Sequence, residues 1–284
     1  MNNISKINSN QLREVLPVVD QCCRQLQIDF YIIGALAKEI WFAAEGIVTG
    51  GTKDVDFAIF VSDEHQFYQL KSALIDSHGF HQAKENSFVL FAPNKTQIDI
   101  LPFGSLEVEN GVTVAGQGLT KIKVNGFKEV YLESVQEVKL LDDKLYKIAT
   151  LPGIVLLKLV AFDDRPEQRG KDPLDCMAII ENYFNLQSDL IWDHHNDLFD
   201  DDRPLVLFAS RVIGREMRKP LLENAQLMNR VVGILERHIS FRERSPFIAQ
   251  IARMAGDSDH AGAMTIEDYV SCLSEILMGI KEEQ

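Results

Sequence analysis

Thr52-Lys53-Asp54-Val55-Asp56-Phe57-Ala58-Ile59 alternates polar or small side chains with apolar ones. In a strand, successive side chains point to opposite faces. Val55, Phe57 and Ile59 therefore read as a core-facing row, and Asp54 and Asp56 project together on the other face. Two carboxylates held that close repel unless a cation lies between them. Oxygen ligands of this kind suit Mg2+ or Mn2+. Upstream, Phe30-Tyr31-Ile32-Ile33 reads as a short buried strand ending at Gly34-Ala35, with helical spacing over 35–45 and a loop at Gly50-Gly51. Downstream, Asp99 is an isolated acid in Gln97-Ile98-Asp99-Ile100-Leu101. That strand is predicted to form a hairpin with Phe88–Phe91 across Pro93-Asn94-Lys95. If it lies beside the strand of Asp54 and Asp56, the three acids converge. Three such acids can hold two divalent ions roughly 3.5–4 Å apart, the arrangement used for in-line displacement at phosphorus.

Working outward, residues 9–27 have helical spacing, with Ser9 as a candidate N-cap, apolar Cys22 and Cys23, and Pro17 as a candidate kink. A helix is predicted over 63–78, stopped by Gly79. Further strands are predicted at 120–124, 127–132 and 136–148. After Pro152 the pattern is helical throughout, with helices predicted over 153–163, 172–184, 204–218, 222–239, 245–254 and 265–281. The reading is an α+β domain, 1–150, followed by an all-helical domain, 151–284.

The whole chain of 284 residues has 29 Lys+Arg against 42 Asp+Glu, a formal net charge of −13. The excess is not confined to one end: residues 1–150 hold 14 basic and 19 acidic side chains, residues 151–284 hold 15 and 23. That balance argues against a general nucleic-acid coat or a membrane-surface binder, both of which need a broad basic face. The four cysteines have no metal-type spacing and read as reduced thiols. The opening Met-Asn-Asn-Ile-Ser-Lys lacks a signal-peptide core, and no apolar run reaches the roughly 20 residues of a membrane span. The expected compartment is the cytoplasm.

The ordered set of a Gly turn, Asp54-x-Asp56 and a third acid resembles the nucleotidyltransferase superfamily. Later segments narrow the likeness to AbiEii-type proteins, the toxin-like nucleotidyltransferases of abortive-infection systems. They are Asp99-Ile100-Leu101-Pro102-Phe103-Gly104, Val124-Asn125-Gly126-Phe127-Lys128-Glu129-Val130, Leu157-Lys158-Leu159-Val160-Ala161, Arg169-Gly170-Lys171-Asp172-Pro173-Leu174-Asp175 and Arg211-Val212-Ile213-Gly214-Arg215-Glu216. The resemblance spans roughly residues 30–218. It implies a nucleotidyltransferase-like mixed sheet with flanking helices. It also implies transfer of an NMP from an NTP to an acceptor hydroxyl, with release of pyrophosphate. Asp54, Asp56 and Asp99 would be the catalytic, metal-holding acids. The candidate acceptor is tRNA or another RNA, and the candidate partner is a cognate antitoxin.

The second set of residues has its own physical reading. Lys158 lies in an otherwise apolar helix, either snorkelling at a domain edge or aimed as a point charge at the nucleotide phosphates. Asp172 and Asp175 are three apart at a helix start and share one face; Asp172 also suits an N-cap or the first helical turn. Arg169 and Lys171 supply positive charge for a triphosphate. Gly34 lets the backbone approach phosphates, and the Ala35 amide at the helix start can bind one. Ala35 stands where the superfamily commonly has Ser or Gly. That departure motivates the alternative of a non-catalytic nucleotide-binding or interaction protein on the same fold. The helical domain is expected to form the other wall of the cleft. Arg211, Arg215, Arg218 and Lys219 recur at helical spacing, as an ion-paired surface or as a basic wall for an RNA acceptor. His194-His195 is expected to be a solvated pair.

Overall fold

The computed structural model describes residues 10–47, 52, 54–140, 144–199, 202–256 and 264–282. Ser9, Gly50, Gly51 and Lys53 lie outside the described residues. The chain divides into two compact units, one built from residues up to Tyr131 with Val135–Thr150, the other from Leu132–Ser134 with residues 151 onward.

The first unit opens with α1 (Asn10–Gln25), which runs unbroken through Pro17. Its apolar stripe of Leu12, Val15, Leu16, Val19, Cys22 and Cys23 is almost wholly buried. Each such side chain contributes roughly 1.5–3 kcal/mol when removed from water. Then come β1 (Asp29–Ile33), α2 (Gly34–Ala44), β2 (Asp54–Val61) and α3 (Glu64–Ser72), which is capped by the Asp63 carboxylate accepting from the Gln66 amide. The helix continues in a wider π turn over Ala73–Ser77 and stops at Gly79, whose φ of +71° suits a C-terminal cap.

Two short strands follow, β3 (His81–Gln82) and β4 (Val89–Phe91), then the long β5 (Gln97–Gly104). A separate hairpin is made by β6 (Gly111–Thr113) and β7 (Lys121–Lys123). After α4 (Phe127–Glu133), β8 (Val135–Lys139) and β9 (Leu145–Ala149) pair antiparallel. The main sheet is seven-stranded and mixed, in the order β3-β4-β5-β2-β1-β9-β8. The central strand β2 pairs antiparallel with β1 and parallel with β5.

The expected strand at 127–132 is a helix. Phe127, Val130 and Tyr131 carry strand propensity, but short segments obey tertiary demands first. The helix buries Val130 and turns Tyr131 onto Phe60, where the rings stack at 5.5 Å. The single stretch expected at 136–148 is the β8–β9 hairpin.

The second unit contains α5 (Leu151–Asp164), α6 (Asp172–Leu186), α7 (Ser188–His194), α8 (Leu205–Leu222), α9 (Ala225–Phe241), α10 (Pro246–Gly256) and α11 (Ile266–Lys281). The α7 helix is absent from the sequence reading. Every residue of α5 from Leu151 to Val160 is buried, which makes it the central helix of this unit. Helices α6, α8 and α9 pack around it. Gly214 of α8 and Gly279 of α11 face each other. A Cβ at Gly214 would stand 2.2 Å from the Ile276 carbonyl oxygen, and one at Gly279 would stand 2.3 Å from that of Arg211. Only hydrogen at these positions lets the two helices approach so closely. No described helix is long and apolar enough to cross a membrane.

Candidate active site

The β2–β5 register aligns Asp54 with Gln97 and Asp56 with Asp99. Partners in parallel strands point to the same side of the sheet, so Asp54, Asp56, Asp99 and Gln97 share one face. Val55, Phe57, Ile98 and Ile100 are buried on the other. Asp54 is exposed, whereas Asp56 and Asp99 are half-buried. The Gln97 side-chain amide donates to Asp99 Oδ1 at 2.9 Å and holds that carboxylate along its own strand.

Across the β1–β2 pairing, Ile33 is the partner of Asp56, and Gly34 follows it with φ +71°. A Cβ at residue 34 would lie 2.1 Å from Asp56 Oδ2. Glycine is required there twice over: by the left-handed backbone, and by the carboxylate that occupies the space of a side chain. Asp56 thus sits against the first turn of α2, where the helix dipole favours negative charge. The N-cap, Ile33, has no oxygen to satisfy the first amides of α2. That end of the helix is chemically suited to an anion.

The donor set is all oxygen and fits a hard divalent cation, and the Gly34 hollow gives the Asp56 carboxylate room at the helix end. Among the described residues, no group of three His, Cys, Asp or Glu side chains stands together as a metal cage. The convergence expected from the sequence is therefore one of strand register and face, not of closed side chains.

In the helical unit, Lys158 is not a free point charge. It is 9% exposed, and its Nζ lies 2.8 Å from Asp172 Oδ1 and 2.7 Å from Asp175 Oδ2. Burial alone would lower its pKa, but the two carboxylates hold it well above the ordinary lysine value. Asp172, at the start of α6, is also buried, and its Oδ2 has no hydrogen-bond partner. Arg169 and Lys171 are exposed just ahead of it.

Arg211 and Arg215 of α8 are ion-paired within their own unit. Arg211 Nε reaches Glu275 Oε2 at 2.7 Å, and both Arg211 and Arg215 pair with Glu282. Arg215 grips Asp197 with two bonds of 2.8 and 2.7 Å, and Arg218 donates to the Ile280 carbonyl at 2.7 Å. They tie α8 to the C-terminal segment, as the ion-paired alternative expects of Arg211 and Arg215. His195 also departs from expectation: it is 3% exposed, with Nε2 3.0 Å from Glu216 Oε1, while His194 is exposed. Residue spacing gave no signal for it, because its partner lies 21 positions away.

Residues 51–249, more than half of the chain, match the family model described as nucleotidyl transferase AbiEii toxin, type IV TA system. No curated protein matches. Among solved structures, an antigenic nucleotidyltransferase-like protein from Paracoccidioides brasiliensis is similar at 15% identity and TM-score 0.39, covering 66% of this chain and 89% of that one. The antibiotic-resistance factor ANT(2'')-Ia follows at 13% and 0.38, covering 66% and 97%. A CCA-adding enzyme in complex with ATP matches at 12% and 0.33, covering 94% and 81%. These structural likenesses are too distant to carry weight, and the assignment rests on the family match. A chain that matches this model through both units belongs to the AbiEii nucleotidyltransferase family and is a nucleotidyltransferase.

Proposed function

We propose that this chain transfers an NMP from an NTP to an acceptor hydroxyl with the help of Mg2+ or Mn2+. The observation that carries the proposal is the pairing of Asp56 with Asp99 across β2 and β5, on the face that Asp54 shares, beside the Gly34 turn. Asp54, Asp56 and Asp99 would hold the divalent ions. Such ions supply charge neutralisation on the triphosphate and a lowered pKa for the attacking hydroxyl.

The protein's own groups do the rest. The Gly34 and Ala35 amides, at the positive end of α2, receive a phosphate oxygen. Arg169 and Lys171 neutralise the charge that develops on the leaving pyrophosphate. Asp99, steadied by Gln97, takes the proton of the acceptor hydroxyl. The acceptor oxygen attacks the α-phosphorus, the bond from that phosphorus to the β-phosphate bridging oxygen breaks, and pyrophosphate departs. Asp172 and Asp175, clamped by Lys158, position the nucleotide as part of the α6 start. An RNA such as tRNA is the acceptor, and a cognate antitoxin is the partner that restrains the activity.

The test is incubation with Mg2+ and each α-labelled NTP, alone, with total cellular RNA, and with protein. Labelled RNA and released pyrophosphate, both absent with Asp56→Asn, are the expected result. Labelled protein in place of RNA would correct the acceptor. Release of a nucleoside diphosphate, with transfer of the terminal phosphate to the acceptor, would replace the reaction. NTP binding without product in every arm would overturn catalysis.

A further inference from the structure

The connection from α6 to α8 carries a row of stacked rings. Trp192 lies on Phe199 with centroids 4.2 Å apart and planes 16° from parallel. Phe199 lies on Phe208 at 4.4 Å and 29°. Phe208 is buried, and Phe184 meets both Phe199 and Phe208 edge-on. The outer rings are thus fixed from beneath, yet Trp192 is 55% exposed and Phe199 37%. Leu205, one turn before Phe208 on α8, is 55% exposed. Scattered surface apolar residues need no explanation, but an ordered ledge of them marks a contact surface. Rigid aromatic anchors of this kind bind with little loss of conformational entropy.

The charge around the ledge selects the partner. Residues 187–203 contain six aspartates against one arginine. Asp189, Asp193, Asp197 and Asp202 are exposed. Asp197 already shows the local chemistry, because it takes the Arg215 guanidinium through two bonds. A phosphate backbone would be repelled here. A guanidinium would be attracted twice, by the carboxylates and by the face of the Trp192 indole.

We propose that the Trp192–Phe199 ledge is a docking surface for a partner-protein segment that presents arginine between aliphatic side chains. The aliphatic groups cover Phe199 and Leu205, and the guanidinium lies over Trp192 with Asp189 and Asp193 as counter-charges. This surface does not depend on the proposed reaction.

The protein's two tryptophans make the test direct. Trp41 is tied by its indole N–H to the Ala149 carbonyl, so Trp41→Phe leaves Trp192 as the only emitter. The full chain in that background is titrated with three probes. One is a short helical peptide with arginines at i, i+4 and i+7 between leucines. The second is its Arg→Gln twin, and the third is a short poly-uridine RNA. The expected result is a saturable emission shift with the arginine peptide alone. Asp189→Asn with Asp193→Asn should weaken binding by about tenfold or more, as loss of an interface hot spot does. In the two-tryptophan chain, measured by calorimetry, Trp192→Ala should weaken it similarly and Trp192→Phe should retain most of it. Leu145→Ser, an exposed apolar site on β9, should leave affinity unchanged. Equal binding by the Trp192→Ala chain would reduce the effect to bulk attraction by an acidic protein and overturn the proposal. So would absence of binding by the arginine peptide, equal binding by its Arg→Gln twin, or an emission shift with the RNA.

Discussion

Two of the sets of neighbouring aspartates among the described residues are built in opposite ways. Asp54, Asp56 and Asp99 lie on an open sheet face, exposed or half-buried, and the bond that steadies Asp99 comes from the neutral amide of Gln97. Asp172 and Asp175 close around a buried ammonium that their own chain supplies, Lys158. Carboxylates brought together need a positive partner. Where the fold provides one within 3 Å, the cluster holds helices together. Asp54, Asp56 and Asp99 instead share one sheet face beside the N-terminus of α2, the face proposed above to take an ion and a nucleotide.

The contrast is sharpest in what each set should lose on mutation. Asp56→Asn should reduce nucleotidyl transfer on the order of a thousandfold, with little change in melting temperature. A half-active Asp56→Asn protein would break the comparison from the catalytic side. Lys158→Met leaves two acids without their buried counter-charge and should cost roughly 3–5 kcal/mol in urea unfolding. Adding Asp172→Asn and Asp175→Asn should recover part of that loss. A Lys158→Met chain with full stability and raised KM for NTP would instead make Lys158 a phosphate ligand.

Gly34→Ala tests the junction of β1 and α2. The left-handed φ costs roughly 1–2 kcal/mol for an alanine. The new Cβ must also displace the Asp56 carboxylate, so activity should fall far more than stability. Equal, small losses in both would separate Gly34 from the site.

The last expected effect concerns pH. His238, in the core of the helical unit between Phe162 and Phe247, accepts from or donates to Ser245 through Nδ1, 2.9 Å apart. Burial, reinforced by Arg237, lowers its pKa from 6.5 to about 4. Between those values the unfolded chain binds a proton that the folded chain does not. Stability from this group is therefore complete above pH 6.5 and declines as pH falls toward 4, by a few kcal/mol at most (about 1.4 per pKa unit). His238→Phe should flatten that part of the curve, and an unchanged slope would remove His238 from the account.

Much of the proposed catalytic face is legible in the sequence because strands repeat every two residues. Asp54 and Asp56 are two apart, and Val55 and Phe57 between and after them declare which side is core. Asp99 stands alone among apolar neighbours for the same reason. The helices of the second half are legible through their apolar spacing, and Asn224 caps α9 close to where the pattern begins. Local pattern fails at Phe127–Glu133, where strand-forming residues fold as a helix to deliver Tyr131 to Phe60. It also fails at the charged residues. Lys158 meets its carboxylates 14 and 17 positions away, and Arg211 meets Glu275 across 64. A long side chain's partner is set by which helices pack together, and spacing along the chain carries no record of that. The sequence alone determined the strand face of Asp54 and Asp56, the Gly34 turn and the order of motifs, all properties of neighbouring residues. Tertiary structure alone decided that Asp56 and Asp99 are partners, that Lys158 is spent on Asp172 and Asp175, and that the α8 arginines bind α11. Charges find their counter-charges through space, in a low-dielectric interior where an unpaired one is costly.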